Sequence, residues 1–88
     1  MPKRVDANQA EIVKALRQAG ASVQSLHTIG KGCPDLLVGY QGANYVFEVK
    51  TRKGEVTPEQ YKWFVCWGGL YDVVFSPEDA LKAIGATR

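Results

Sequence analysis

The sequence of 88 residues is long enough for one small domain and too short for two. Apolar residues make up 45% of it, which excludes a disordered chain, and the net charge of +2 is too small to indicate a nucleic-acid partner by itself. No segment is apolar over the length of a membrane span, and the N-terminal residues lack the apolar core of a secretion signal.

The first half of the chain predicts one helix followed by three strands. The helix runs from about Ala7 to Ala19, because Asp6 and Gln9 resemble a capping box and Gly20 is a natural stop. Its apolar stripe is Ile12, Val13, Leu16 and Ala19. The three strands are predicted at Ala21 to Leu26, Asp35 to Tyr40 and Tyr45 to Thr51, and a turn over Gln41 to Asn44 makes the last two a hairpin.

The second half predicts a helix, a strand and a final helix. Thr57 followed by Pro58 and Gln60 is a strong helix start, and this helix should end near Trp67, before Gly68. A strand over Tyr71 to Phe75 follows, and a second helix start at Ser76 to Asp79 opens a helix that stops at Gly85. The order α-β-β-β-α-β-α predicts an α/β domain with a small mixed sheet flanked by helices.

Three charged residues stand where the pattern favours apolar side chains. Asp35 opens an apolar run, and Glu48 and Lys50 interrupt another. Side chains alternate along a strand, so Glu48 and Lys50 should share one face, with Phe47 and Val49 on the other. Burying these charges is costly unless they are compensated, and a divalent cation between Asp35 and Glu48 would compensate them.

The chemistry of Mg²⁺ suits this arrangement. It prefers hard oxygen ligands and keeps several waters, so two carboxylates and the backbone carbonyl of Val49 could hold it. Lys50 could orient the attacking water in phosphodiester hydrolysis or bind the phosphate, and Glu11 would add a third carboxylate if its helix crosses the same sheet face. Basic residues surround this acidic centre and suit a phosphate-bearing ligand, namely Lys31, Lys50, Arg52 and Lys53.

The order of these motifs resembles a known group of enzymes. Gly-x-Pro-Asp at Gly32 to Asp35, a hydrophobic strand, and Glu-x-Lys at Glu48 to Lys50 are similar to the layout of the PD-(D/E)XK nuclease superfamily. Within it, the chain looks most like the VRR-NUC (virus-type replication–repair nuclease) domains. The resemblance covers nearly all of residues 1–88 as a single domain, and implies a restriction-endonuclease-like core with Mg²⁺- or Mn²⁺-dependent cleavage of DNA.

The resemblance also implies roles for individual residues. Asp35, Glu48 and the Val49 carbonyl would bind the metal, Lys50 would be catalytic, and the site would be supported by Glu11 and Gln60. Stand-alone members resemble Holliday-junction resolvases, which implies a homodimer that acts on branched DNA. We therefore expect DNA and a second copy of the chain as partners, and the habits of the family suggest a bacterial or phage-infected cell.

The two cysteines give an indication of the cellular compartment. Two cysteines without a secretion signal predict free thiols in a reducing compartment, so we expect a cytoplasmic protein. A zinc site built from Cys33, Cys66 and His27 is disfavoured, because the spacing is irregular and only three ligands are available.

Several of these residues have a purely structural alternative. Glu48 and Lys50 could be a solvent-facing pair, Asp35 a turn residue and Glu11 an exposed helical acid, while Gln60 could serve only the capping box. His27 could be a general base or polar surface, and Trp63 and Trp67 could stack on bases or form a core or subunit interface. For the protein as a whole, the alternatives are a non-catalytic DNA-binding module with a nuclease fold, and an interaction protein with an incidental acidic cluster.

Overall fold

The computed structural model describes residues 5–51 and 54–86, with the side chain of Val5 left aside. These residues form the predicted order of elements. They are α1 (Val5–Gln18), β1 (Ser22–Ser25), β2 (Leu36–Tyr40), β3 (Ala43–Val49), α2 (Pro58–Val65), β4 (Leu70–Val74) and α3 (Pro77–Ala83). No helix in the described part of the chain is both long and apolar enough to cross a membrane.

The four strands form one mixed sheet in the order β1-β2-β3-β4. β1 and β3 are both antiparallel to β2, whereas β4 runs parallel to β3. The hairpin between β2 and β3 closes at the pair Tyr40–Ala43, with Gln41 and Gly42 at φ 48° and 84°. Positive φ at both central residues is the pattern of a type I′ turn. This two-residue turn is shorter than predicted, so β3 begins at Ala43 instead of Tyr45.

The core lies between one face of the sheet and the helices α1 and α3. Phe47 and Val49 of β3 point into it and are almost fully buried, as the predicted alternation requires. Burial of these side chains is the main source of the domain's stability. The rest of this cluster comes from both helices and from the other strands, namely Ile12, Leu16, Ala21, Leu36, Val38, Val74, Ala80 and Ile84.

Several predicted boundaries need correction. α1 begins at Val5, so Asp6 lies inside its first turn and is not the N-cap; its carboxylate there is favourable toward the helix dipole. Asp35 lies just before β2, and β3 ends at Val49, two residues earlier than predicted. α2 ends at Val65, with Cys66 as its C-cap, instead of continuing to Trp67.

Helix α2 lies against the opposite face of the sheet. Its capping box forms as predicted, with Thr57 accepting a hydrogen bond from the Gln60 N–H. Phe64 contacts Tyr71 at a ring-centroid distance of 4.6 Å, and Tyr71 lies on the face opposite to the buried Val74. No residue of α2 is buried, so this helix covers the second face only partly.

Candidate active site

The register of the hairpin brings the two central acids together. Leu36 pairs with Phe47, so Asp35, one residue earlier, lies beside Glu48, one residue later. The Asp35 N–H donates to the Phe47 carbonyl at 3.0 Å, and Asp35 Oδ2 accepts a hydrogen bond from the Val49 N–H at 2.8 Å. These two bonds hold the Asp35 carboxylate against β3 instead of leaving it in a solvated turn.

Glu48 is a buried carboxylate with only 2% of its surface exposed. Its Oε2 atom accepts a hydrogen bond from Gln60 Nε2 at 3.2 Å and lies 3.7 Å from Lys50 Nζ. Its Oε1 atom is buried and has no hydrogen-bond partner among the described residues. A buried carboxylate oxygen left without a donor is costly, and such an atom calls for an explanation such as a bound ion.

The electrostatics of the pair follow from this burial. The pKa of Glu48 is raised from 4.5 to about 8, first by desolvation and further by the adjacent Asp35 carboxyl, while the Lys50 ammonium opposes the shift. Near neutral pH the pair therefore retains a proton when no cation is present. A bound cation would favour the fully ionised pair, so binding should release that proton.

The backbone of Val49 faces the same side as Asp35. Its N–H donates to Asp35, and in an extended strand the N–H and the carbonyl of one residue point to the same edge. The register would place Pro34 opposite Val49, and proline has no N–H to offer the Val49 carbonyl. The Val49 carbonyl is thus on the edge of β3 that faces Asp35.

The remaining predicted residues lie outside this pair. Glu11 lines a cavity of about 360 Å³ together with Thr51 and Phe75. Within residues 5–51 and 54–86, no three His, Cys, Asp or Glu side chains are grouped so that they could hold a metal ion. Lys31 is exposed, whereas Arg52 and Lys53 fall outside the described residues.

A glycine connects the loop that precedes β2 to the start of α2. Gly32 has φ +80°, and a Cβ atom there would lie 2.4 Å from the carbonyl oxygen of Glu59. The Gly-x-Pro-Asp loop therefore packs directly on the first turn of α2, which carries Gln60. This contact explains why a side chain would not fit at position 32, which the motif alone did not explain.

The structure adds Asn8, to which sequence reasoning gave no role. Its side chain is 3% exposed, and its Nδ2 group donates to the carbonyls of Lys50 and Phe75, both at 3.0 Å. Asn8 precedes Ile12 and Leu16 at intervals of four residues, on the buried stripe of α1. An amide at a core position of a helix was the signal that could have identified it.

The structure places the other residues with open alternatives at or near the surface, which leaves both interpretations of each residue open. His27 is exposed and lines a surface hollow along α1, while Trp63 stacks on Trp67 with a ring-centroid distance of 4.8 Å. Both thiols are free, as predicted. Burial raises the pKa of the half-buried Cys33 thiol, and the charges of Glu48 and Asp35 raise it further.

The fold has a counterpart among solved structures. A structure described as "VRR_NUC domain" superposes with a TM-score of 0.75 and 26% sequence identity, covering 90% of this chain and 91% of that one. The chain folds as a VRR-NUC domain. The match confirms the resemblance inferred from the motifs and the α/β nuclease-like fold that it implied. No protein-family model and no curated protein matches the sequence.

Proposed function

We propose that this VRR-NUC domain is a metal-dependent DNA endonuclease of the PD-(D/E)XK type. The observation that carries the proposal is the acidic pair, in which a buried Glu48 oxygen lacks a donor beside a second carboxylate. Two acids this close repel each other once both are ionised, and a hard cation is the simplest compensating group. The fold shared with a VRR-NUC domain structure supports the same conclusion.

The residues fit Mg²⁺ or Mn²⁺ as the cation. Asp35, Glu48 and the Val49 carbonyl would hold it, with waters in the remaining positions. When bound, the metal supplies charge neutralisation at the phosphate and a more acidic water. For Glu11 of α1, which lines a cavity together with Asn8 and Thr51, we propose a supporting role at the edge of the site.

The other side chains have distinct tasks in this proposal. Gln60 holds Glu48 Oε2 and leaves Oε1 available to the cation. The Lys50 ammonium, 3.7 Å from Glu48, orients the attacking water or neutralises charge that develops on the phosphate. Lys31, Arg52 and Lys53 contact backbone phosphates and contribute affinity without sequence preference.

We also propose that the protein is a homodimer acting on branched DNA such as Holliday junctions. Large apolar side chains are exposed along α2 and just after its end, namely Tyr61, Phe64, Val65 and Trp67. An apolar surface of this kind on a small domain suits burial against a second copy. Two copies would present two sites, which suits paired cuts on opposite strands.

Cleavage of end-labelled DNA tests the nuclease proposal. A four-way junction and a linear duplex of the same sequence would be incubated with Mg²⁺, Mn²⁺ or EDTA. Wild type should cleave only with metal and prefer the junction. Glu48→Gln should lose cleavage, Lys50→Ala should cleave much more slowly at a rate still measurable in single turnover, and the exposed control Lys82→Ala should cleave like wild type. Cleavage by Glu48→Gln would refute the site, and metal-independent binding of DNA without cleavage would favour the non-catalytic binding module.

A further inference from the structure

The backbone N–H and carbonyl of Lys50 are both hydrogen-bonded, although Lys50 lies beyond the last residue of β3. Its N–H donates to the Val74 carbonyl at 3.1 Å, and its carbonyl accepts a hydrogen bond from Asn8 Nδ2 at 3.0 Å. The same amide nitrogen donates to the Phe75 carbonyl, just past the end of β4. One side chain of α1 therefore bridges the ends of the parallel strands β3 and β4.

This arrangement satisfies both hydrogen-bond donors of the Asn8 amide. The two hydrogens of an asparagine NH₂ group serve two carbonyls, and the side chain is almost entirely shielded from water. Without it, both carbonyls would lose a buried donor, and the Lys50 backbone would keep the bond from its N–H but lose the one to its carbonyl. Lys50 would then be free to move relative to Glu48.

From these contacts we infer that Asn8 is a positioning residue for Lys50. Asn8 acts by fixing the backbone from which the Lys50 ammonium reaches Glu48 Oε2. The inference rests on the proposed nuclease function for its effect on cleavage. It also has a consequence that does not depend on cleavage: the hydrogen of the Lys50 amide should exchange with solvent faster when the Asn8 side chain is removed.

A double-mutant cycle separates positioning from a general loss of structure. Single-turnover cleavage of the labelled junction with Mn²⁺ would be measured for wild type, Asn8→Ala, Lys50→Ala and the double variant, each at its measured folded fraction. Asn8→Ala should slow cleavage about 10-fold in wild type, since small displacements of a reacting group are costly, and less than about 2-fold in the Lys50→Ala background. Equal losses in both backgrounds, or none in wild type, would overturn the inference.

Hydrogen exchange provides the readout that does not depend on cleavage. In metal-free protein, Asn8→Ala should raise the exchange rate of the Lys50 amide at least about 10-fold more than that of the core amide Val38. The control Ile12→Val, one turn along the same stripe, should lower the melting temperature without this selective effect. An unchanged ratio between the two amides would refute positioning even if wild type proved inactive on DNA.

Asn8→Ser covers the case in which the alanine variant does not fold. Its hydroxyl can donate to one of the two carbonyls. Its cleavage rate and the exchange rate of its Lys50 amide should therefore lie between the wild-type values and those expected when both hydrogen bonds are lost. A folded serine variant with wild-type values in both measurements would overturn the inference. If wild type cleaves no DNA while the exchange result holds, the proposed function fails and the structural role of Asn8 remains.

Discussion

Gln60 Nε2 donates a hydrogen bond to Glu48 Oε2 at 3.2 Å while Gln60 Oε1 accepts one from the Thr57 N–H at 2.9 Å. A single side-chain amide thus completes the capping box of α2 and holds a buried carboxylate of the site. Gln60 therefore does more than complete the capping box, because it also contacts Glu48. The start of α2 is consequently tied to the acidic pair.

Gln60→Glu should weaken this tie without removing the cap. The new carboxylate can still accept from the Thr57 N–H, but it cannot donate to Glu48 and adds a further negative charge beside the pair. We expect a loss of about 1–3 kcal/mol in the unfolding free energy of the metal-free protein at pH 8. Urea denaturation measures it, with Gln24→Glu on exposed β1 as the control. Equal stability of the two variants would contradict the account.

The raised pKa of Glu48 predicts how metal-free stability depends on pH. The native state holds a proton on Glu48 up to about pH 8, whereas the unfolded chain loses it near 4.5, so the native state binds more protons between these values. The contribution of Glu48 to the free energy of unfolding is therefore greatest below pH 4.5 and is lost as the pH rises toward 8. Denaturation in EDTA across this range should show the decline.

Glu48→Gln is the variant that isolates this effect. Glutamine keeps an oxygen acceptor for Gln60 but has no charge to desolvate, so its stability should not show the decline that belongs to Glu48. At pH 8 the variant should be more stable than metal-free wild type, by an amount on the order of 1–3 kcal/mol. A variant that is less stable than wild type at pH 8 would show that the buried charge is compensated within the metal-free protein.

Two glycines of one loop give a matched test of the contact with α2. Gly30 and Gly32 both have positive φ, at 69° and 80°, but an added Cβ meets nothing within 4 Å at Gly30 and the Glu59 carbonyl at Gly32. Gly30→Ala should therefore cost about 1 kcal/mol from backbone strain alone. Gly32→Ala should cost clearly more and weaken Mn²⁺ binding, because Asp35 and Gln60 are displaced relative to each other. Similar losses of stability and of Mn²⁺ affinity in both variants would contradict this.

The exposed side of α2 predicts the effect of a charge on assembly. Val65 is 57% exposed, so Val65→Asp should leave the monomer folded while it disrupts an apolar interface between two copies. Sedimentation velocity should show a dimer for wild type and for the control Asn44→Asp, which alters the exposed hairpin, and a monomer for Val65→Asp. Wild-type protein that sediments as a monomer at concentrations where it cleaves DNA would refute the dimer.

The sequence predicted the fold well because its local signals agree. Alternation placed Phe47 and Val49 in the core and Glu48 and Lys50 on the opposite face, and Thr57 with Gln60 marked the start of α2 correctly. Errors of one or two residues at the ends of elements came from the turn and from the helix ends, where hydrogen bonds, not periodicity, decide the boundary.

The site was less predictable because its supporting contacts join distant parts of the chain. Spacing suggested that Asp35 and Glu48 face each other, but the bond from Asn8 to the Lys50 carbonyl joins residues 42 apart in sequence. No local sequence pattern predicts that Gly32 contacts Glu59 either. Such contacts depend on how α1 and α2 pack on the sheet, which hydrophobic periodicity does not specify.

Binding of Mn²⁺ followed by isothermal titration calorimetry tests most directly whether Asp35 and Glu48 form a cation site. At pH 7 wild type should bind the metal and release a proton, since the pKa of Glu48 without metal is about 8, so the heat should vary with the ionisation enthalpy of the buffer. Asp35→Asn and Glu48→Gln, both folded, should lose this binding. Binding of equal strength in wild type and in Glu48→Gln, or none in wild type, would contradict the account.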